Sequence, residues 1–244
     1  MNATPFHVAF FVVLASGAAT AADKDGWEVV SEGAIVVKNR PRPNSGVTEV
    51  WVEGEIAAPV KDIQDAVTKI ENFKNFMPHL LEARNLGPPE PDGSQHMYTR
   101  LSFPVVSQRD YILRGWVVKS TAPDGSGEFE NRWTAVPTRL PERSGVVRIK
   151  VNDGGWYVRP KPGDKTKSLV TYKFAIDPGG WIPAFAAKMG NQQGVTETFE
   201  AVEKEAQRRW KARTQDAGKP AAEPPAGGSV PAAASNDAGA APAP

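Results

Sequence analysis

The sequence contains no cysteine. That excludes disulfides, thiolate metal sites, a cysteine nucleophile and a lipid-modified N-terminal cysteine. Histidine is scarce, with three in 244 residues. His7 lies near the N-terminus, and His79 and His96 lack the spacing of a metal site. His79, beside Pro78, reads as a helix-end residue. Charge of one sign is also missing. Lys and Arg number 29 against 28 Asp and Glu, a formal net charge of +1, with both signs spread along the chain. Nucleic acid is therefore not an expected partner. No apolar run reaches the ~20 residues of a membrane-spanning helix. No Gly-x-Ser-x-Gly motif and no phosphate-cradling glycine loop is present. Catalytic residues, metal ligands and cofactors are accordingly not assigned.

The two ends of the chain differ from its middle. Phe6 to Ala15 is a short apolar run, and Ala19-Thr20-Ala21 is a small-x-small cleavage pattern. Residues 1–21 read as a secretory signal peptide cut after about Ala21, which implies a periplasmic or secreted protein. Residues 214–244 are mostly Ala, Pro, Gly and Ser, without periodicity, and are expected to be a disordered tail. One domain is expected over residues 22–213.

Within that domain, Trp27 to Arg40 reads as one or two short strands. Val47 to Ala57 is a clear strand, with Val50, Val52 and Ile56 on one side and Trp51, Glu53 and Glu55 on the other. Pro59 opens a helix with Ile63, Val67, Ile70 and Phe73 on one face, and Pro78 ends it. Leu80 to Leu86 is extended. A meander follows: Gln95–Pro104, Asp110–Ser120, Glu128–Val136, Val146–Asn152, a hairpin signal at Asp153-Gly154, Gly155–Pro160 and Leu169–Ile176. Strands this close, with no helices between them, argue for an antiparallel sheet.

Asp177-Pro-Gly-Gly-Trp-Ile-Pro183 suits a tight turn into a helix. From Pro183 to about Arg209, the residues Phe185, Met189, Gln192, Val195, Phe199, Val202 and Ala206 recur at steps of three and four. Glu200–Lys204 and Glu205–Arg209 are i,i+4 ion pairs on the other side. Gly190 and Gly194 sit one turn apart in mid-helix, each costing about 1 kcal/mol against Ala. Either they pack closely on a strand, or the helix bends there as the lid of a cavity. The predicted class is α+β: a large curved antiparallel sheet wrapped around a long C-terminal helix. A sheet face that one helix cannot fill leaves an apolar pocket of the kind that holds small ligands.

Several stretches carry a family likeness. Pro104-Val-Val-Ser-Gln-Arg109-Asp110-Tyr111 resembles the Arg-Asp-aromatic strand start of START domains, the lipid-transfer modules related to steroidogenic acute regulatory protein. Leu140-Pro141-Glu142-Arg143-Ser144-Gly145-Val146-Val147-Arg148 resembles their mobile loop and the strand after it. Trp156-Tyr157-Val158-Arg159-Pro160 and Asp177-Pro-Gly-Gly-Trp181-Ile-Pro183 follow in family order, so the likeness covers roughly Trp27 to Trp210. Phe73 to Arg84 looks more like the polyketide-cyclase and coenzyme-Q-binding branch of the same superfamily.

The resemblance implies a bacterial-type helix-grip fold of the SRPBCC superfamily enclosing a cavity for one lipid. Tyr111, Trp116, Phe129, Trp133, Trp156, Tyr172, Phe174, Phe185 and Met189 are the expected cavity lining. The loop from Pro137 to Gly145, with Leu140 and Pro141, and the helix start at Trp181 would form the gate. Arg100 and Arg114 are the candidate headgroup anchors. The acid–base pair of some sterol-carrying relatives is not reproduced, because Arg100 and Gly115 stand at those positions. Asp110 beside Arg109 reads as a structural ion pair at a strand start rather than a catalytic acid. The expected protein is a monomeric carrier of one hydrophobic molecule that touches membranes transiently. The alternatives are a cyclase- or aromatase-type enzyme of the same superfamily, and an interaction module with a collapsed pocket.

Overall fold

In the computed structural model, residues 24–182 and 184–217 are described, excepting the side chains of 184–193. Residues 1–21, expected to be a signal peptide, and most of the tail lie outside the described residues, as do the side chains of Phe185 and Met189. Three strands open the domain: β1 (Glu28–Ser31), β2 (Ile35–Pro41) and β3 (Thr48–Ile56). Helix α1 (Val60–Thr68) follows, with Pro59 as its N-cap. It is shorter than its apolar period implies. Lys69 leaves helical geometry, and the chain continues as a 3₁₀ turn over Ile70–Asn75.

The meander is β4 (Leu80–Asn85), β5 (Gln95–Leu101), β6 (Gln108–Lys119), β7 (Phe129–Ala135), β8 (Val146–Arg148), β9 (Val151–Lys161) and β10 (Asp164–Asp177). The chain ends in α2 (Ala184–Ala217). The helix therefore runs past the boundary placed at 213, and the Thr214 hydroxyl bonds back to the Trp210 and Lys211 carbonyls. The ten strands form one open sheet ordered β1-β2-β3-β10-β9-β7-β6-β5-β4, with β8 parallel to the start of β6. All other pairings are antiparallel.

The Asp153-Gly154 hairpin is a correction. Those residues lie in the middle of β9, paired with Ala175 and Phe174. Gly154 is there for space, not for a turn. A Cβ on it would lie 2.6 Å from the Trp133 ring and 2.4 Å from the Lys173 carbonyl oxygen. The true reversal is at Pro162-Gly163, where Gly163 has φ +79° and β10 begins at Asp164.

One face of the sheet packs on both helices. Val50, Val52 and Ile56 of β3, Val170 of β10, Val158 and Trp156 of β9 and Phe129 of β7 join Ile63, Ala66 and Val67 of α1 and Val195, Phe199, Val202 and Ala206 of α2. The apolar period of α2 thus marks its buried face, as its spacing requires. The Phe199 ring lies on Gly54, where a Cβ would come within 3.0 Å. Polar contacts fix the helices: Arg213 pairs with the buried Asp62 of α1, and Glu203 accepts the Ala57 amide. The Glu205–Arg209 pair closes at 2.8 Å and Glu200–Lys204 at 4.0 Å. No helix among the described residues is long and apolar enough to cross a membrane.

Candidate ligand-binding interior

Strand parity decides which side chains meet. On β10, Val170, Tyr172 and Phe174 face the helices, opposite Val158, Trp156 and Gly154 of β9. These in turn pair with Phe129, Asn131 and Trp133 of β7. Trp133 faces Gly115 of β6, which places Tyr111 on the same inner face. The outcome is an aromatic wall. Trp156 and Tyr172 stack at 4.1 Å with planes 8° apart, and Tyr172 lies 4.9 Å from Phe174 and 6.0 Å from Trp133. Trp156 also meets Phe199 of α2 at 6.4 Å.

Phe129 and Trp156 are sealed into the core, at 1% and 5% exposure. Tyr111, Trp133, Tyr172 and Phe174 are half-buried instead. The phenols of Tyr111 and Tyr172 are nevertheless strongly desolvated. Burial pushes both above the ordinary tyrosine range, with the Thr99 hydroxyl partly offsetting the effect at Tyr111. The rings keep some accessible surface, so the packing beside them is incomplete. Gly194 of α2 agrees with this. It is half-buried, yet nothing lies within 4 Å of where its Cβ would be. Close packing on a strand is therefore not why glycine stands at 194.

Three expected site residues face the wrong way. Trp116 pairs with Arg132 on the outer face, an odd number of residues along β6 from Tyr111. Arg100 pairs with Asp110 and Arg114 with His96, also on the outer face. Arg100 bonds Gln108 at 3.2 Å and Glu82 at 3.5 Å, and Arg114 pairs with Asp92 and Ser94. Neither guanidinium can serve as an anchor inside. They lie on the side of the sheet that carries a groove of ≈ 720 Å³, lined by Arg84, Asn85, Leu86, Gly87, His96 and residues 136–140 except Pro137. Arg84 is ion-paired with Glu82, and His96 and Arg139 both reach Glu90. That surface groove is separate from the aromatic wall.

Arg109 and Asp110 are not a pair, because adjacent strand residues point to opposite faces. Asp110 takes both oxygens to Arg148, at 2.7 and 3.1 Å, with both side chains 1% exposed. The Tyr98 hydroxyl adds a third bond at 3.2 Å. The same Arg148 donates to the carbonyls of Pro137, Leu140 and Pro141 at 2.5, 3.0 and 3.2 Å. One buried guanidinium thus fastens the 137–145 loop to the sheet. Leu140 is half-buried and Pro141 exposed.

Arg109, 3% exposed, instead reaches the carbonyls of Ser107, Pro178 and Gly179. It ties the β5–β6 loop to the turn before α2. That turn has Gly179 and Gly180 at φ near +60°, close against Val147. Trp181 is 79% exposed on it, and Val105 of the neighbouring loop is 72% exposed at φ +59°. Arg109 was expected to pair with Asp110, and the parts played by Arg148 and Thr99 were not read from the sequence. Strand parity around Asp110 was the signal available for Arg109 and Arg148. Among the described residues no three His, Asp or Glu side chains converge as metal ligands.

A family model described as polyketide cyclase / dehydrase and lipid transport matches residues 56–203, well over half the chain. The chain belongs to that family. A STAR-related lipid transfer protein fragment from Xanthomonas axonopodis has the same fold, at 28% identity and a TM-score of 0.62, over 75% of this chain and 99% of that one. Human StAR-related lipid transfer protein 5 matches at 20% identity and a TM-score of 0.64, over 76% of this chain and 88% of its own. An uncharacterised protein of Pseudomonas aeruginosa is 31% identical over 91 residues, 37% of this chain. The chain spans 42% of the length of that curated relative. The architecture is therefore a START-like helix-grip fold with an open sheet, and it supports binding of a hydrophobic ligand.

Proposed function

We propose that the protein carries one lipid in the space between the aromatic wall and the first half of α2, and passes it between membranes. The observation behind this reading is the half-buried aromatic wall of Tyr111, Trp133, Tyr172 and Phe174, together with the open space beside Gly194. The driving force is apolar burial, about 25 cal/mol per Å² of guest surface removed from water.

Exchange needs an opening. α2 below Gly194 is its movable side, whereas Arg148 fastens the 137–145 loop, expected as part of the gate, over the outer face. Gly194 is one of two glycines in the helix, each costing about 1 kcal/mol against Ala, and Thr198 bonds back to the Gly194 carbonyl at 2.8 Å, a contact that favours bending. The exposed Trp181 and Val105, joined through Arg109, form the end that touches a membrane during exchange. We further propose a monomer, acting outside the cytoplasm after loss of residues 1–21.

The cyclase reading needs acids and bases facing the guest. Glu82, His96, Asp110 and Arg114 all stand on the outer face instead. The test is transfer of a fluorescent phospholipid or diacylglycerol between two vesicle populations. Transfer proportional to protein concentration is expected. A protein that extracts no lipid of either kind from vesicles overturns the proposal.

A further inference from the structure

The outer face of β4 and β5 is short of negative charge where the 137–145 loop folds over it. Glu82 alone meets three guanidiniums, those of Arg84 at 3.1 Å, Arg143 at 3.4 Å and Arg100 at 3.5 Å. Glu90 is shared by Arg139 at 3.4 Å and His96 at 3.1 Å. Glu142, the loop's own acid, pairs with Lys150 instead, at 3.7 Å. Four arginines therefore divide two carboxylates, and three of the four contacts are 3.4 Å or longer. A close charge-assisted bond is about 2.7–2.9 Å, so these pairs are stretched. One carboxylate also has fewer acceptor sites than three guanidiniums have N–H donors.

The arginines are nevertheless held in place. Arg84 and Arg143 each lie over the Tyr98 ring, 5.1 Å from its centroid, and that ring is buried. The loop wall is fixed as well, because Arg148 bonds the carbonyls of Pro137, Leu140 and Pro141. Between sheet and loop runs the groove of ≈ 720 Å³, a size that suits a small molecule. Arg84 and His96 border it from the sheet, and Arg139 from the loop. Arg84 and Arg139 keep 46% and 44% of their side chains exposed, so both are reached from solvent. Leu86, Val136 and Leu140 add an apolar flank.

We propose that this groove is a binding site for a small soluble organic anion. Its phosphate or carboxylate group lies between Arg84 and Arg139, and its apolar part rests on Leu86, Val136 and Leu140. A guanidinium fits the edge of either oxyanion with two parallel N–H bonds. The anion supplies the acceptors and the negative charge that Glu82 and Glu90 provide too sparsely. The site is on the opposite side of the sheet from the aromatic wall, so the inference stands without the carrier reading.

The experiment titrates the full chain by calorimetry at low salt with phenyl phosphate, with benzyl alcohol as an uncharged molecule of similar shape, and with phosphatidylglycerol vesicles as a source of lipid headgroups. Phenyl phosphate is expected to saturate one site and to bind about tenfold or more tightly than benzyl alcohol. Arg84→Gln and Arg139→Gln should each weaken it about tenfold or more, with circular dichroism confirming the fold of each variant. Arg159→Gln, which removes an exposed arginine of β9 outside the groove, should leave the affinity unchanged. The inference is overturned if phenyl phosphate does not saturate, if benzyl alcohol binds as tightly, or if the two groove variants keep full affinity. It is equally overturned if Arg159→Gln weakens binding as much as they do, or if only the vesicles bind in an Arg84-dependent way.

Discussion

Replacing Gly194 by Ala tests whether α2 is weakened on purpose. Inside a helix, glycine costs about 1 kcal/mol relative to alanine. In most packed helices the added methyl group would collide and cancel that gain. Here nothing lies within 4 Å of the position it would take, so the gain should be kept. For a domain of this size, about 1 kcal/mol corresponds to a rise in Tm of roughly 2–4 °C. If opening requires the helix to loosen at Gly194, the same change raises the opening cost by about 1 kcal/mol, and exchange slows roughly fivefold. Thermal unfolding followed by circular dichroism gives the first quantity. Stopped-flow release of a fluorescent lipid gives the second. A lower Tm refutes the packing argument, and a higher Tm with unchanged release refutes the hinge.

Other consequences are as direct. Arg148→Met leaves Asp110 buried without its partner and three loop carbonyls without their donor, so denaturant unfolding should show a loss of about 3–5 kcal/mol, partly recovered in the Asp110→Leu double variant. Gly154→Ala forces a methyl group against the Trp133 ring and the Lys173 carbonyl, and should destabilise by about 1–3 kcal/mol in the same assay. The Ser94 hydroxyl and amide, together with Arg114, hold the Asp92 carboxyl down at about 2. A depressed carboxylate contributes stability that is present above its unfolded pKa, near 4, and disappears as pH falls towards 2. Carboxyl-detected NMR should find that midpoint near 2, moving up towards 3.8 in Ser94→Ala.

The inner face of β3 and the buried stripe of α2 were legible because each follows one period without interruption. Val50, Val52 and Ile56, and Val195, Phe199, Val202 and Ala206, went where their spacing placed them. Aromatic residues chosen by type rather than parity were less secure. Tyr111 and Trp116 cannot share a face of one strand, and the same count removes Arg100 and Arg114 from the interior. Asp153-Gly154 misled because its glycine answers to the Trp133 ring, a contact between β7 and β9 that no local window contains. The Asp110–Arg148 bond also joins residues 38 positions apart, so adjacency pointed to Arg109 instead. What stayed hidden in the chain was long-range: which cation meets which acid, and which loop that cation fastens.

The most direct test of the account is native mass spectrometry of the protein purified from lipid-rich cells without detergent. The account predicts a monomer carrying one lipid, released as a single species in organic solvent. A monomer at its bare chain mass that also gains no mass on incubation with vesicles would contradict it.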